Sequence, residues 1–166
     1  MKSVVYGFVG MIAVGGIALC GYARLGLLEV RADANPPAWE RTLAQFAVHA
    51  SVTRSAAGLR NPLQPTPEIL IAGGKLYMNG CAGCHGEPGK PQSTTGYPPP
   101  PQFAQVGTQF AEPELFWIVK HGIRRTGMSA YGPFFSDEKM WSLAAFVKRM
   151  NNLSPAVLAG IQTKHP

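Results

Sequence analysis

Five consecutive residues, Cys81-Ala82-Gly83-Cys84-His85, constrain this chain more than any other stretch. The pattern C-x-x-C-H is the attachment signature of a covalently bound haem. Two thiols two residues apart can both reach the vinyl groups on one edge of a porphyrin. The next residue, His85, then lies under the iron and supplies an axial imidazole. Iron held by His and Met has a raised reduction potential, so a methionine downstream is the natural second ligand.

Competing readings of the cysteine pair fare poorly. A structural zinc site needs a second ligand pair, and the only other cysteine is Cys20, inside an apolar run. A thioredoxin-like pair belongs near a βαβ pattern, which the sequence lacks. With three cysteines in all and two spent on haem, a disulfide is not expected. The formal charge of +6 does not point to nucleic acid. The basic residues are scattered, and only Arg124-Arg125 and Lys148-Arg149 are adjacent. Fifteen Pro and nineteen Gly imply a loop-rich domain, and a small domain of that kind buries little core unaided. A tethered haem would supply the apolar centre.

Residues 3–23 carry no charge and are long enough to span a bilayer core, between Lys2 and Arg24. An uncleaved anchor over residues 1–24 is expected, with a cleaved signal peptide as the alternative. The small-x-small site Ala32-Asp33-Ala34 lies too far past the apolar run for that alternative. Leu19 is too bulky for a lipoprotein signal at Cys20. Haem attachment to this motif occurs outside the cytoplasmic membrane. The domain is therefore expected in the periplasm, on a single pass through the bacterial inner membrane.

Residues 25–66 read as an amphipathic helix followed by a Pro-rich linker. Within 37–57, Trp39, Leu43, Phe46, Ala47 and Ala50 follow helical spacing. This stripe either packs on its own haem domain or docks on a membrane subunit or the lipid surface. Thr66, Pro67 and Glu68 then form a helix start. The spacing predicts a helix over 67–79, in which Gly73 and Gly74 cost about 1 kcal/mol each. Such a cost implies close approach by another helix.

Residues 86–111 read as loop. Tyr97-Pro98-Pro99-Pro100-Pro101 is either a polyproline ligand or a stiff pocket wall. As a wall it could offer a Pro carbonyl to the ring N–H of His85. A helix is expected over 112–121, capped by Gly122. Met128 follows in a Gly-flanked loop, 44 residues after Cys84, and is the preferred sixth ligand of iron. His121 is its strongest rival; His49 reads as an exposed histidine. Arg124 and Arg125 could reach a haem propionate, face a partner, or stay solvated. Ser136, Asp137 and Glu138 open a last helix over 137–151. An aromatic of that helix could lie over Gly73 and Gly74. Residues 153–166 read as a loose tail.

Taken as an ordered set, these features resemble a class I cytochrome c domain of the type also found in cbb3 oxidase subunits. The resemblance covers 67–151 and rests on Gly73 and Tyr77, Cys81 to Gly86, Tyr97 to Pro100, Leu115 to Ile123, Thr126 to Gly132 and Ser136 to Glu138. It implies an all-α fold around one covalent haem c over 67–152, with Cys81 and Cys84 attached, His85 proximal and Met128 distal. Ser129 departs from the family, which often has Pro there.

The function that follows is single-electron transfer by a membrane-anchored cytochrome, with protein redox partners and no small-molecule substrate. It would act as a subunit of a respiratory complex, docked to one, or as a tethered shuttle. A peroxidase or gas-binding protein would require Met128 to be displaceable. A structural subunit would make the haem incidental. No acid–base pair or nucleophile constellation accompanies the motif, so no catalytic residue is expected.

Overall fold

The computed structural model describes residues 2–31, 34–90 and 98–162. They are helical, with no strand among them. The chain divides into two units, Met1–Pro36 and Pro37–Pro166.

The first unit is one helix, α1 (Lys2–Arg24), followed by an exposed segment carrying Leu25, Leu27, Leu28 and Val30. Its apolar side chains are exposed along its whole length. Among the described residues α1 is the one helix long and apolar enough to cross a membrane. It fits the anchor expected there.

The second unit begins with α2 (Ala38–Ala56) and continues with α3 (Pro67–Gly80). Thr66 caps α3 by accepting from the Ile69 N–H at 3.4 Å, with Pro67 in the first turn. Next come α4 (Ala82–His85), α5 (Phe103–Val106), α6 (Glu112–His121) and α7 (Asp137–Arg149). Ser136 caps α7, accepting from the Lys139 N–H at 3.4 Å. A 3-10 turn at Met150–Asn152 leads to α8 (Pro155–Gln162).

The core lies where α3 crosses α7. Leu70 and Tyr77 of α3 meet Leu143, Phe146 and Val147 of α7, and α6 adds Leu115, Phe116 and Val119. Phe116 stacks on Trp141 at 4.0 Å between ring centroids. The paired glycines permit the crossing. A Cβ on Gly73 would lie 2.1 Å from the Ser142 carbonyl oxygen, so the two backbones are in contact there. A Cβ on Gly74 would lie 2.8 Å from Phe146 Cε2 and 2.4 Å from Ile161 Cγ2. The expected aromatic over Gly74 is therefore Phe146.

Two expectations are corrected. The stretch after Leu153 is not a loose tail over its described residues. It forms α8, which buries Val157 and Ile161 against the core. Its apolar residues Val157, Leu158 and Ile161 recur at helical spacing, and Gly160 lets Ile71 approach. The loop 86–111 contains the one-turn helix α5. Of the two readings of the 37–57 stripe, the C-terminal half of α2 follows the first: it and the linker after it pack on the haem-motif unit. Val52 and Ala56 are buried there. Thr53 Oγ1 donates to Glu114 Oε1 at 2.6 Å, and His49 stacks on Phe110 at 4.5 Å. In the linker, Asn61 Nδ2 donates to Glu112 Oε2 at 2.8 Å, and Arg149 pairs with the same carboxylate.

Gly73→Ala must push α3 and α7 apart at backbone contact. It is expected to destabilise at the top of the roughly 1–3 kcal/mol range for overpacking. Gly80→Ala, where a Cβ meets nothing within 4 Å, should leave the thermal midpoint nearly unchanged. Thermal unfolding of both variants checks this.

Candidate haem-binding site

The end of α3 delivers the motif. Cys81 closes that helix, its N–H donating to the Tyr77 carbonyl at 2.8 Å. It also opens α4: the N–H groups of Cys84 and His85 donate to the Cys81 carbonyl at 3.1 and 2.9 Å. The five residues are thus one helical turn. Positions i, i+3 and i+4 share a face, so Cys81, Cys84 and His85 present two thiols and an imidazole on one side. Gly86 then turns the chain at φ +81. Its carbonyl accepts from the hydroxyl of the buried Tyr77 at 2.6 Å.

His85 is held from behind. Its Nδ1 lies 2.9 Å from the Pro101 carbonyl, an acceptor only, so the proton sits on Nδ1 and Nε2 is left bare. The ring stacks on Phe103 at 4.8 Å. Burial holds its pKa below the ordinary histidine value, opposed by the Pro101 bond. Burial thus favours the neutral imidazole.

The described part of the proline stretch, Pro98–Pro101, acts here as the wall that orients His85. Tyr97 lies outside the described residues. Gln102 and Phe103 were not singled out in the sequence, although both shape this wall. Gln102 is buried and donates through Nε2 to the Cys84 carbonyl at 2.9 Å and the Pro100 carbonyl at 3.0 Å. Its signal was its position. Prolines have no N–H, so the carbonyls around a proline run need a side-chain donor, and Gln102 is the first one after it.

The Met128 loop is pinned at both ends. Gly122 ends α6 at φ +67, and a Cβ there would lie 2.6 Å from the Met128 carbonyl oxygen. That carbonyl accepts from the Ile123 N–H at 3.0 Å, and the Met128 N–H donates to Thr126 Oγ1 at 3.0 Å. Downstream, the Tyr131 and Gly132 N–H groups donate to the Val119 and Lys120 carbonyls at 3.0 and 3.1 Å. Arg125, at φ +63, turns the exposed tip. Met128 is half-buried and packs on the same core cluster as Cys81, Phe103 and Tyr131.

Burial, and then the charges the Cys81 and Cys84 thiols can carry, raise the pKa of Tyr131. Cys81 is half-buried, and burial followed by the Cys84 thiol pushes it up to about 11. Cys84 is exposed. The other sequence candidates have different surroundings. The His121 ring lies tilted against Trp117 at 4.9 Å between centroids, and His49 belongs to the α2–Phe110 contact. Among the described residues no group of three or more His, Cys, Asp or Glu could hold a separate metal ion.

A single-turn C-x-x-C-H with an oriented histidine, in a helical domain that also carries a pinned methionine loop, is the arrangement of a c-type cytochrome domain. Residues 70–147 match the family model described as Cytochrome C oxidase, cbb3-type, subunit III. This segment is a mono-haem c-type cytochrome domain with covalently bound haem c, and it is an electron-transfer module. No solved structure matches the chain.

Of the three cysteines, thioether linkage at Cys81 and Cys84 would remove two from thiol chemistry. Alkylation of the denatured haem-bearing protein should modify Cys20 alone, as read by peptide mass. Modification of Cys81 or Cys84 would show that the linkage at that residue is missing.

Proposed function

We propose that this protein passes single electrons at the outer face of the bacterial inner membrane, anchored by α1 with its haem domain in the periplasm. It works as a subunit of a respiratory oxidoreductase complex or docked to one. Cys81 and Cys84 form the thioethers, His85 Nε2 is the proximal ligand and Met128 Sδ the distal one. Bound there, haem c supplies a one-electron iron couple, whose potential a His/Met pair raises.

The observation that carries this reading is the Pro101 carbonyl on His85 Nδ1 at 2.9 Å. It fixes the tautomer and the ring plane before any metal is bound, which is how a ligating histidine is prepared. The Thr126 and Ile123 bonds do the same for the Met128 backbone. With His85 and Met128 both holding the iron, no position would be left open for a substrate, and the chemistry would be confined to electron exchange. The apolar length of α1 supports the anchor. The oxidase-subunit description of the matching family supports membership of a complex. Arg124 and Arg125, exposed on the Met128 loop, would favour an acidic partner surface at low salt.

The test is carbon monoxide binding to the reduced protein. Wild type should bind little, because Met128 fills the sixth position. Met128→Ala should bind it readily, with a lower reduction potential and an intact haem c attachment. Ready binding by wild type would favour a gas-binding or peroxidase reading instead. Detergent extraction with sizing then checks the complex: the haem c band should migrate with larger partners.

A further inference from the structure

The helix α2 has two apolar faces, and only one of them is used by the haem domain. Val52 and Ala56 are buried on that domain, with His49 on Phe110 and Thr53 on Glu114 beside them. The second, on the N-terminal half of the helix, carries Trp39, Leu43 and Phe46 at i, i+4 and i+7 spacing. These three are 68%, 60% and 69% exposed. Residues 37–47 are exposed without exception, so the first turns of α2 run free of the domain that holds its last turns.

We infer that this face lies in the headgroup region of the lipid bilayer, giving the haem domain a second point of membrane attachment. The inference rests on the reading of α1 as an anchor. Three observations favour lipid over a protein occupant. Residues 25–36 are all that separate α1 from Pro37, a linker that can extend at most about 40 Å. The stripe is therefore held at high local concentration beside the bilayer. That linker is itself apolar and exposed at Leu25, Leu27, Leu28 and Val30. Finally, the three stripe side chains offer roughly 400 Å² of apolar surface, about half of the ~800 Å² per partner of a stable protein interface. A Trp/Phe/Leu face opposite a polar one is what interfacial helices use. Because the other face of α2 is fixed to α6, insertion of the stripe sets the orientation of the whole domain, and with it where the haem edge can meet a partner.

The test uses the full-length, haem-bearing protein in phosphatidylcholine–phosphatidylglycerol vesicles, with and without brominated acyl chains. Trp39 emission is isolated by subtracting the Trp39→Phe variant. Brominated lipid should remove most of the Trp39 signal, and aqueous iodide little of it. Leu43→Gln with Phe46→Gln should reverse that preference while leaving the haem spectrum unchanged, because neither side chain is part of the core. Trp39 quenched by iodide but not by lipid overturns the inference. Shielding from both quenchers also overturns it, since a protein surface then covers the stripe. Failure of the protein to float with vesicles removes the anchor reading and this inference together. Flotation with Trp39 in water removes only the inference.

Discussion

Backbone contact between α3 and α7 is the constraint on which the rest depends. Gly73 allows the Ser142 carbonyl to sit where a Cβ would otherwise be, and Gly74 leaves room for Phe146 and Ile161. Two glycines in a fourteen-residue helix cost helix propensity. The cost is offset because the crossing buries Tyr77, Leu143 and Phe146 almost completely. It also aims the end of α3. The motif begins at the residue that closes that helix, so the direction of α3 sets where both thiols and the imidazole point.

From there the site is built by satisfying backbone groups. Prolines remove donors from one wall, and Gln102 restores them by bonding Pro100 and Cys84 together. Tyr77 ties down Gly86 from below. No buried side-chain nitrogen or oxygen lacks a partner among the described residues. On the other side, Thr126 spends its hydroxyl on the loop that carries Met128, donating to Ile123 and accepting from Met128. The His85 ring and the Met128 backbone are thus each oriented by a neighbour's carbonyl or hydroxyl.

Much of this was legible in the sequence, for physical reasons. Thr66-Pro67-Glu68 and Ser136-Asp137-Glu138 mark helix starts because orphan N–H groups and the helix dipole require them, and the helices begin there. The glycine pair announced a close crossing, and the proline wall announced an acceptor for His85. What escaped was what local patterns encode weakly. The helix α8 is short, and its apolar spacing acquires meaning only once α3 offers Ile71 and the glycine pair. Gln102 and Phe103 are ordinary residues whose roles depend on where the proline run places them. The spacing within 37–57 implies an amphipathic helix with one stripe. The structure divides it into a domain-bound half and a free one, which spacing alone does not distinguish.

The central claim is that Met128 Sδ completes the iron coordination opposite His85. The most direct measurement is the proton NMR spectrum of the reduced, diamagnetic protein. A methionine held on the iron places its methyl and methylene protons over the porphyrin face, where the ring current shifts them far upfield. The account predicts one such methionine set, lost in Met128→Ala. A reduced wild-type spectrum with no upfield methionine signals, or with signals that survive Met128→Ala, would contradict it.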